Sequence, residues 1–178
     1  IRNGYRGLLA AGFSDDPIHL NDVQPAITDS DYWKKGDLLL SMRHRSTVAL
    51  YRPSTDKIIW LKTGPWMNQH DADFLDNHRI SVFGNDVIEN AALTHGKKNF
   101  HTESWRYLMD GHNNIYIYDF HNKSVTRPYE TMMRSKEVRT LTDGLSEVLS
   151  NGDVFIEETT EGRLLRLSPN EVKWEFVR

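Results

Sequence analysis

The sequence contains no cysteine, and this absence excludes several kinds of chemistry. A disulfide framework, a thiolate nucleophile and a cysteine-based zinc site all depend on that residue. No apolar run approaches the length of about 20 residues that crosses a bilayer, so we expect no membrane span. The 22 basic and 25 acidic residues nearly cancel, which predicts no broad positive surface for nucleic acid. A glycine-rich phosphate-binding loop is also missing, so a nucleotide-based mechanism has no support.

Three segments of the chain resemble one another and align without gaps. They are His19-Leu-Asn-Asp-Val-Gln-Pro, His70-Asp-Ala-Asp-Phe-Leu-Asp and Gly144-Leu-Ser-Glu-Val-Leu-Ser. Each has an acidic residue in fourth place and an apolar residue in fifth place, and each leads into a strand pattern. We infer that they begin successive copies of one β unit. Copies stacked around an axis direct equivalent side chains at one central space, so the first two segments bring two imidazoles together there.

A second repeated feature lies further along the first and third copies. Gly36-Asp37 and Gly152-Asp153 each start a strand pattern, and a proline follows each glycine at the same distance. Each copy holds about four short alternating runs bounded by glycine, asparagine, aspartate or proline. This pattern is typical of a four-stranded propeller blade. We therefore predict an all-β fold, a β-propeller with about three blades in this chain.

The predicted organisation is one partial propeller domain over residues 1–178, with blades that start near residues 19, 70 and 144. An insert over about residues 86–113 interrupts the middle copy, and short helix patterns occur near 86–93 and 129–137. Closed propellers typically have about 4 to 8 blades, so three blades do not close a ring. We expect the remaining blades to come from a missing N-terminal sequence or from a second chain.

Several motifs, in this order, are similar to the signature of the bacterial arylsulfotransferases. They are Asp16-Pro-Ile-His-Leu-Asn-Asp, Gly36-Asp-Leu-Leu-Leu-Ser-Met-Arg-His, Asn68-Gln-His-Asp, Phe83-Gly-Asn and Leu149-Ser-Asn-Gly-Asp-Val. The family pattern is approximately D-W-x-H-x-N-S, G-D-x-x-x-S-x-R, Q-H-D, F-D-N-G and L-x-N-G-N. The chain departs from it at Pro17, Asp22 and Gly84, where the family has an aromatic residue, a serine and an aspartate. The resemblance covers about residues 15–178 and implies the C-terminal half of a six-bladed propeller.

The resemblance implies transfer of a sulfuryl group from a small aromatic sulfate donor to a phenolic acceptor, without any cofactor. By motif, His70 is the nucleophile that becomes sulfated, while His19 and Arg43 hold the sulfuryl oxygens. A periplasmic or otherwise exported location is implied as well. The side-chain chemistry agrees, because neutral imidazole is a nucleophile near pH 7 and a guanidinium matches the oxygens of a sulfate. A protonated His19 can also donate a proton to the departing phenoxide.

Asn21 and Trp66 are further candidates for substrate binding. Asn21 follows His19 by two positions, so the two side chains share one face of a strand and the amide can donate to a sulfate oxygen. Trp66 precedes His70 by a few residues, where its ring can line the mouth of the channel and stack on a phenol.

Other interpretations stay open from sequence alone. The chain can be a non-catalytic propeller that binds a ligand or a protein and merely retains these side chains. A related enzyme would hold a metal for hydrolysis with its histidines, but no carboxylate clearly completes a three-ligand set, so we predict no metal. His44 directly follows Arg43, and strand alternation therefore assigns His44 to the opposite face in a structural role.

Overall fold

The computed structural model describes residues 16–89 and 108–177 of the chain. Within these residues, twelve strands form three four-stranded antiparallel sheets, and two further strands form a separate hairpin. The predicted all-β class is confirmed. Helical structure in the described part is limited to one short α-helix and two single 3₁₀ turns. None of its helices has the length and apolar composition of a membrane-crossing helix.

The strands of each sheet follow one another in chain order. Sheet 1 contains β1 (Leu20–Pro25), β2 (Leu38–Met42), β3 (Thr47–Arg52) and β4 (Lys57–Thr63). Sheet 2 contains β5 (Asp71–Phe74), β6 (Arg79–Gly84), β9 (Asn114–Asp119) and β10 (Val125–Thr126), with the hairpin of β7 (Val87–Glu89) and β8 (Leu108–Gly111) between β6 and β9. Helix α1 (Glu130–Ser135) connects it to sheet 3, which contains β11 (Leu145–Val148), β12 (Val154–Glu158), β13 (Arg163–Leu167) and β14 (Val172–Val177).

The two helix patterns in the sequence have different outcomes. The pattern near 129–137 is confirmed by α1. The pattern near 86–93 is wrong where the structure describes it, because Val87–Glu89 pairs with Leu108–Gly111 as a β-hairpin. Pairing with a distant strand overrides a local helix preference of this length. The middle of the predicted insert lies outside the described residues.

Apolar side chains fill the spaces between neighbouring sheets. Between sheets 1 and 2, the ring of Trp33 lies 4.7 Å from that of Phe74 and 5.5 Å from that of Phe120, centroid to centroid. The cluster between sheets 2 and 3 consists of Phe83, Ile115, Tyr129, Met133, Val138, Val154, Ile156, Leu165 and Leu167. Because each sheet packs face to face on the next, the sheets stack in the manner of propeller blades.

The two Gly-Asp segments adopt similar turns with the same kind of ion pair. Asp37 Oδ2 lies 2.7 Å from Arg52 Nη2, and Asp153 Oδ2 lies 2.8 Å from Arg166 Nη2. In both cases the arginine belongs to the strand next to the one that the aspartate precedes. The glycine before each aspartate has a positive φ, 89° and 83°, which glycine adopts without a steric penalty.

The first strands of the three sheets lie side by side. Asp22 in β1 accepts a hydrogen bond of 3.0 Å from the backbone N–H of Ala72 in β5, and Asp71 in β5 accepts one of 2.8 Å from that of Ser146 in β11. These contacts make Asp22 the structural counterpart of Asp71. The ungapped alignment instead matches Asp22 with Asp73. A β-bulge next to Asp22 shifts the register in β1, and an ungapped alignment does not include such a shift.

Candidate functional site

His19 and Arg43 lie opposite each other at one end of sheet 1. His19 directly precedes β1 and Arg43 directly follows β2, and the backbone N–H of Arg43 donates to the carbonyl oxygen of His19 at 2.9 Å. His19 has a φ of 51°, in the left-handed region. A non-glycine residue in that region carries strain of about 1 to 3 kcal/mol, and such strain is found most often at functional sites.

His70 is held at the same end of sheet 1 by the loop that precedes it. The side-chain amide of Gln69 donates to Ser41 Oγ at 3.2 Å and to the carbonyl oxygen of Thr47 at 3.0 Å. Ser41 and Thr47 flank the turn that begins with Arg43. The structure therefore brings the segment of His70 to the edge of sheet 1 that carries His19 and Arg43. Both histidines directly precede the first strand of a sheet.

The two histidines do not occupy equivalent places in their sheets. His70 directly precedes Asp71, which bonds to the next sheet, whereas His19 lies three positions before Asp22, which makes the corresponding bond. The residue that directly precedes Asp22 is Asn21. Loop contacts, and not a repeated position, therefore bring the segments of the two histidines to the same edge of sheet 1.

The charge of Arg43 acts on two imidazole rings. Burial lowers the pKa of His70, the hydrogen bond to Asn85 opposes that shift, and the guanidinium of Arg43 reinforces it. Burial also lowers the pKa of His44, and Arg43 again adds to the effect. At pH 7 His70 is therefore neutral, the form that is nucleophilic.

A buried asparagine determines which nitrogen of His70 carries the proton. Nδ1 of His70 lies 2.6 Å from Oδ1 of Asn85. The amide nitrogen of Asn85 donates to the carbonyl oxygens of Thr140 and Asp143, at 3.0 Å each. Its oxygen therefore faces the imidazole, and because an amide oxygen only accepts, Nδ1 must donate. In the neutral ring the lone pair is then on Nε2.

Asn85 is itself fixed by a second buried asparagine. Asn113 donates from its side chain to the backbone oxygens of Asn85, at 2.6 Å, and of Thr140, at 2.9 Å. The backbone N–H of Thr140 donates back to Oδ1 of Asn113 at 2.7 Å. All three residues are 0% exposed, and a satisfied buried network of this kind is rigid. Sequence reasoning missed the role of Asn85, although the Phe83-Gly-Asn motif contains it.

Asp16 and His44 surround the ring of His19. Oδ2 of Asp16 lies 2.7 Å from Nδ1 of His19, and Oδ1 accepts the backbone N–H of His19 at 2.8 Å. The ring of His44 stacks on that of His19 with centroids 4.5 Å apart, so His44 is not remote from the site. The alternation argument fails for His44 because Arg43–Arg45 form a 3₁₀ turn and not a strand. The structure thus shows a carboxylate, that of Asp16, beside two histidines, which the sequence analysis did not identify.

Asn21 and Trp66 occupy places that differ from the expected ones. Asn21 donates from its amide to the backbone oxygen of Gln69 at 2.9 Å, so it supports the loop of His70. Trp66 is 0% exposed and packs edge-on against Tyr116 in the core. No face of the indole is open to a phenol, and the substrate-stacking role predicted for Trp66 does not fit this placement. Trp66 is close to His70 in sequence, but its side chain points into the core.

Asp86 holds the beginning of the His70 loop and occupies the space beside Gly84. Oδ1 of Asp86 accepts the backbone N–H of Met67 at 2.6 Å, and Oδ2 accepts the hydroxyl of Tyr116 at 2.8 Å. A Cβ atom on Gly84 would lie 2.7 Å from Oδ2 of Asp86. Position 84 is where the motif usually has an aspartate. In this chain the carboxylate comes from position 86 and reaches the space next to position 84.

Comparison with known proteins agrees with this architecture. The model of a family described as arylsulfotransferase (ASST) matches residues 9–177. Among solved structures, the chain is similar to the WD40 β-propeller domain of Doa1, with a TM-score of 0.53 and 14% sequence identity over 89% of this chain. The likeness at this identity concerns the fold, and it confirms the predicted β-propeller. The match spans 40% of the Doa1 chain. No curated protein matches the chain in sequence.

Proposed function

Because this chain belongs to the arylsulfotransferase family, we propose that it transfers a sulfuryl group from a phenolic sulfate ester to a phenol, with His70 as the nucleophile. The observation that carries the proposal is the bond between Nδ1 of His70 and Oδ1 of Asn85. It leaves the lone pair of the neutral ring on Nε2, and an imidazole with an unprotonated nitrogen is ready to attack sulfur without prior loss of a proton.

The proposed reaction has two displacements at sulfur. In the first, Nε2 of His70 forms a bond to the sulfur of the donor ester, and the bond from sulfur to the phenolic oxygen breaks with its electron pair on oxygen. In the second, the oxygen of the acceptor phenol attacks the sulfur, its proton leaves, and the nitrogen–sulfur bond breaks. A covalent intermediate divides one difficult transfer into two easier ones. Donor and acceptor use the same site in turn.

Arg43 is proposed to hold the sulfuryl oxygens. Two observations support this role: Arg43 pairs with His19 through its backbone, and its charge contributes to the lowered pKa of His70. The oxygens of a sulfuryl group stay negative throughout the transfer, and a planar guanidinium donates to two of them at once. The same charge disfavours protonation of His70 and so keeps the nucleophile in its reactive form.

His19 is proposed to bind a sulfuryl oxygen and to donate a proton to the leaving phenoxide. Asp16 Oδ2 lies 2.7 Å from Nδ1 of His19, so the carboxylate accepts a hydrogen bond from that nitrogen and orients the ring. A phenol has a pKa near 10, so protonation of its oxygen as the ester bond breaks lowers the barrier. When the acceptor phenol attacks, the neutral ring of His19 accepts the proton of that phenol.

The proposed function has a direct chemical test. The protein is incubated with an aromatic sulfate ester, and peptide mass spectrometry at neutral to alkaline pH locates any added sulfuryl group. We expect the group on His70, no label in His70→Ala, and loss of transfer to a phenol in the same variant. His78→Ala is the control, because His78 is a partly exposed histidine that lies beside Asp76, away from the proposed site. Label on another residue would overturn the assignment of His70.

The same experiment separates the alternative functions. A non-catalytic propeller that binds a ligand or a protein would show neither label nor turnover in the unsubstituted protein. A metal-dependent hydrolase would release inorganic sulfate and lose activity with a chelator, while no peptide would carry the sulfuryl group.

We also propose that further blades complete the ring around this site. Apolar side chains are exposed on both outer sheets of the described residues: Leu20, Val23 and Ile27 on the side of sheet 1, and Leu145, Trp174, Phe176 and Val177 on sheet 3. Large exposed apolar surfaces are typical of interfaces. An exported location, implied by family resemblance, is tested by fractionation of cells that produce the protein.

A further inference from the structure

We propose that Asp16, His19 and His44 form a binding site for a divalent transition-metal ion such as Zn²⁺. The three residues offer two imidazole nitrogens and one carboxylate oxygen, and their ligand atoms all lie within 4.8 Å of one another. Two histidines and a carboxylate, with a further position for water, are a common ligand set for zinc. Metal binding here is chemically distinct from sulfuryl transfer, although His19 belongs to both proposed sites.

The present geometry needs only a small adjustment to hold an ion. Ligands around tetrahedral zinc, at metal–ligand distances of about 2.0 to 2.1 Å, are about 3.3 Å apart. Oδ2 of Asp16 and Nδ1 of His19 are 2.7 Å apart and share a proton, and the stacked rings of His19 and His44 are 4.5 Å apart. An ion that takes the place of the shared proton widens the first distance and releases the proton to solvent.

His44 already has the outer contact that metal-binding histidines require. Its Nδ1 donates to the backbone oxygen of Asp16 at 2.6 Å, which fixes the orientation of the ring. A histidine that binds a metal almost always donates its other ring N–H to such a group.

Access and charge also suit a small cation. The side chains of His19 and Asp16 are 41% and 58% exposed, so an ion reaches them without any movement of the sheets. Asp16 supplies one carboxylate oxygen to the cluster. The guanidinium of Arg43 opposes the cation, and its removal should therefore tighten metal binding.

The test measures binding and does not depend on turnover. Metal-free protein is equilibrated with Zn²⁺ by dialysis, and the bound metal is quantified by elemental analysis. Visible absorption of the Co²⁺ form reports the geometry of the site. We expect about one ion per chain at this site, a tetrahedral Co²⁺ spectrum, and at least about 10-fold weaker binding in Asp16→Ala and in His44→Ala. Circular dichroism checks that both variants are folded.

His78→Ala is the matched control for the metal site. Its Nδ1 lies 3.2 Å from Oδ1 of Asp76, but in the described residues no second imidazole completes a cluster there. We expect this variant to bind zinc as the unsubstituted protein does. Absence of stoichiometric Zn²⁺ and Co²⁺ binding to the unsubstituted protein, or equal loss in all three variants, would overturn the proposal. Because no sulfate ester is present, failure of this test leaves the sulfuryl-transfer proposal unaffected.

Discussion

The Nδ1 atom of His70 lies 2.6 Å from the side-chain oxygen of Asn85. Because Asn85 uses its amide nitrogen for two backbone oxygens, its orientation is fixed, and the imidazole must present a hydrogen to it. The hydrogen bond thereby leaves Nε2 of His70 as the nucleophilic nitrogen. Loops next to sheets 2 and 3 supply the groups that keep the imidazole in this tautomer.

Asn85→Ala should lower both activity and stability. Without its acceptor, His70 no longer has one preferred tautomer, so we expect kcat to fall about 10-fold or more, equivalent to about 1.4 kcal/mol. The carbonyl group of Asp143 loses the donor from Asn85, and that of Thr140 keeps only the donor from Asn113, which should reduce the free energy of unfolding by about 1 to 3 kcal/mol. Steady-state kinetics and urea unfolding measure the two effects. Asn122→Ala, at an exposed turn, should change neither, and an unchanged kcat in Asn85→Ala would contradict the tautomer argument.

His70 should titrate below the ordinary histidine value. Burial and the charge of Arg43 both lower its pKa, so the neutral ring predominates at pH 6.5 and protonates only at lower pH. We expect NMR of the ring resonances to show this low pKa. In Arg43→Gln the pKa should move upward because one opposing charge is lost. A titration of His70 at or above the ordinary value in the unsubstituted protein would rule out the proposed electrostatics.

Asp73→Asn should stabilise the protein at neutral and higher pH. Burial raises the pKa of Asp73 to about 7, with the charges of Asp71, Asp22 and Glu147 as further causes. The folded state therefore retains a proton between pH 4 and 7 that the unfolded state has lost, so the free energy of unfolding falls as the pH rises through this window. Removal of the charge should flatten that dependence.

Urea unfolding at several pH values measures this effect. Each pKa unit corresponds to about 1.4 kcal/mol, so we expect Asp73→Asn to gain about 1 kcal/mol or more at pH 8 and nothing at pH 3.5. Asp31→Asn, at an exposed position, serves as the control and should follow the parent curve. Equal effects of Asp73→Asn at both pH values would indicate a packing change and not titration.

The effects of Gly84→Asp and Asp86→Gly on the free energy of unfolding should not be additive. Gly84→Asp places a Cβ atom 2.7 Å from Oδ2 of Asp86 and 2.9 Å from Tyr116, so this variant alone should lose about 1 to 3 kcal/mol. Asp86→Gly alone loses the bonds to Met67 and Tyr116. We expect the double variant to be more stable than the sum of the single losses predicts, by about 1 kcal/mol. Simple additivity in urea unfolding would show that the two carboxylate positions are unrelated.

Trp66→Phe should reduce stability without weakening substrate binding. Trp66 is fully buried against Tyr116, so the smaller ring leaves a cavity and lowers the free energy of unfolding by about 1 kcal/mol or more. We expect the KM values for donor and acceptor to stay unchanged. A raised KM with unchanged stability would instead restore the stacking role that the sequence suggests.

The fold class and the family follow from the amino-acid sequence alone. Alternating apolar residues, the Gly-Asp turns and the spaced His and Arg motifs are local patterns, and local patterns are sufficient to identify strands, turns and a propeller arrangement. They also predict that His19, Arg43 and His70 act together, and this assignment stays a prediction.

The orientation and the hydrogen-bond partners of those side chains depend on contacts between distant parts of the chain. The tautomer of His70 depends on Asn85, Thr140 and Asp143, which are distant from His70 in sequence. A β-bulge and a 3₁₀ turn interrupt the alternation on which the roles of Asn21 and His44 were inferred. Hydrogen bonds and burial depend on which atoms meet in space, and a period of two along a strand contains no information about partners on other sheets.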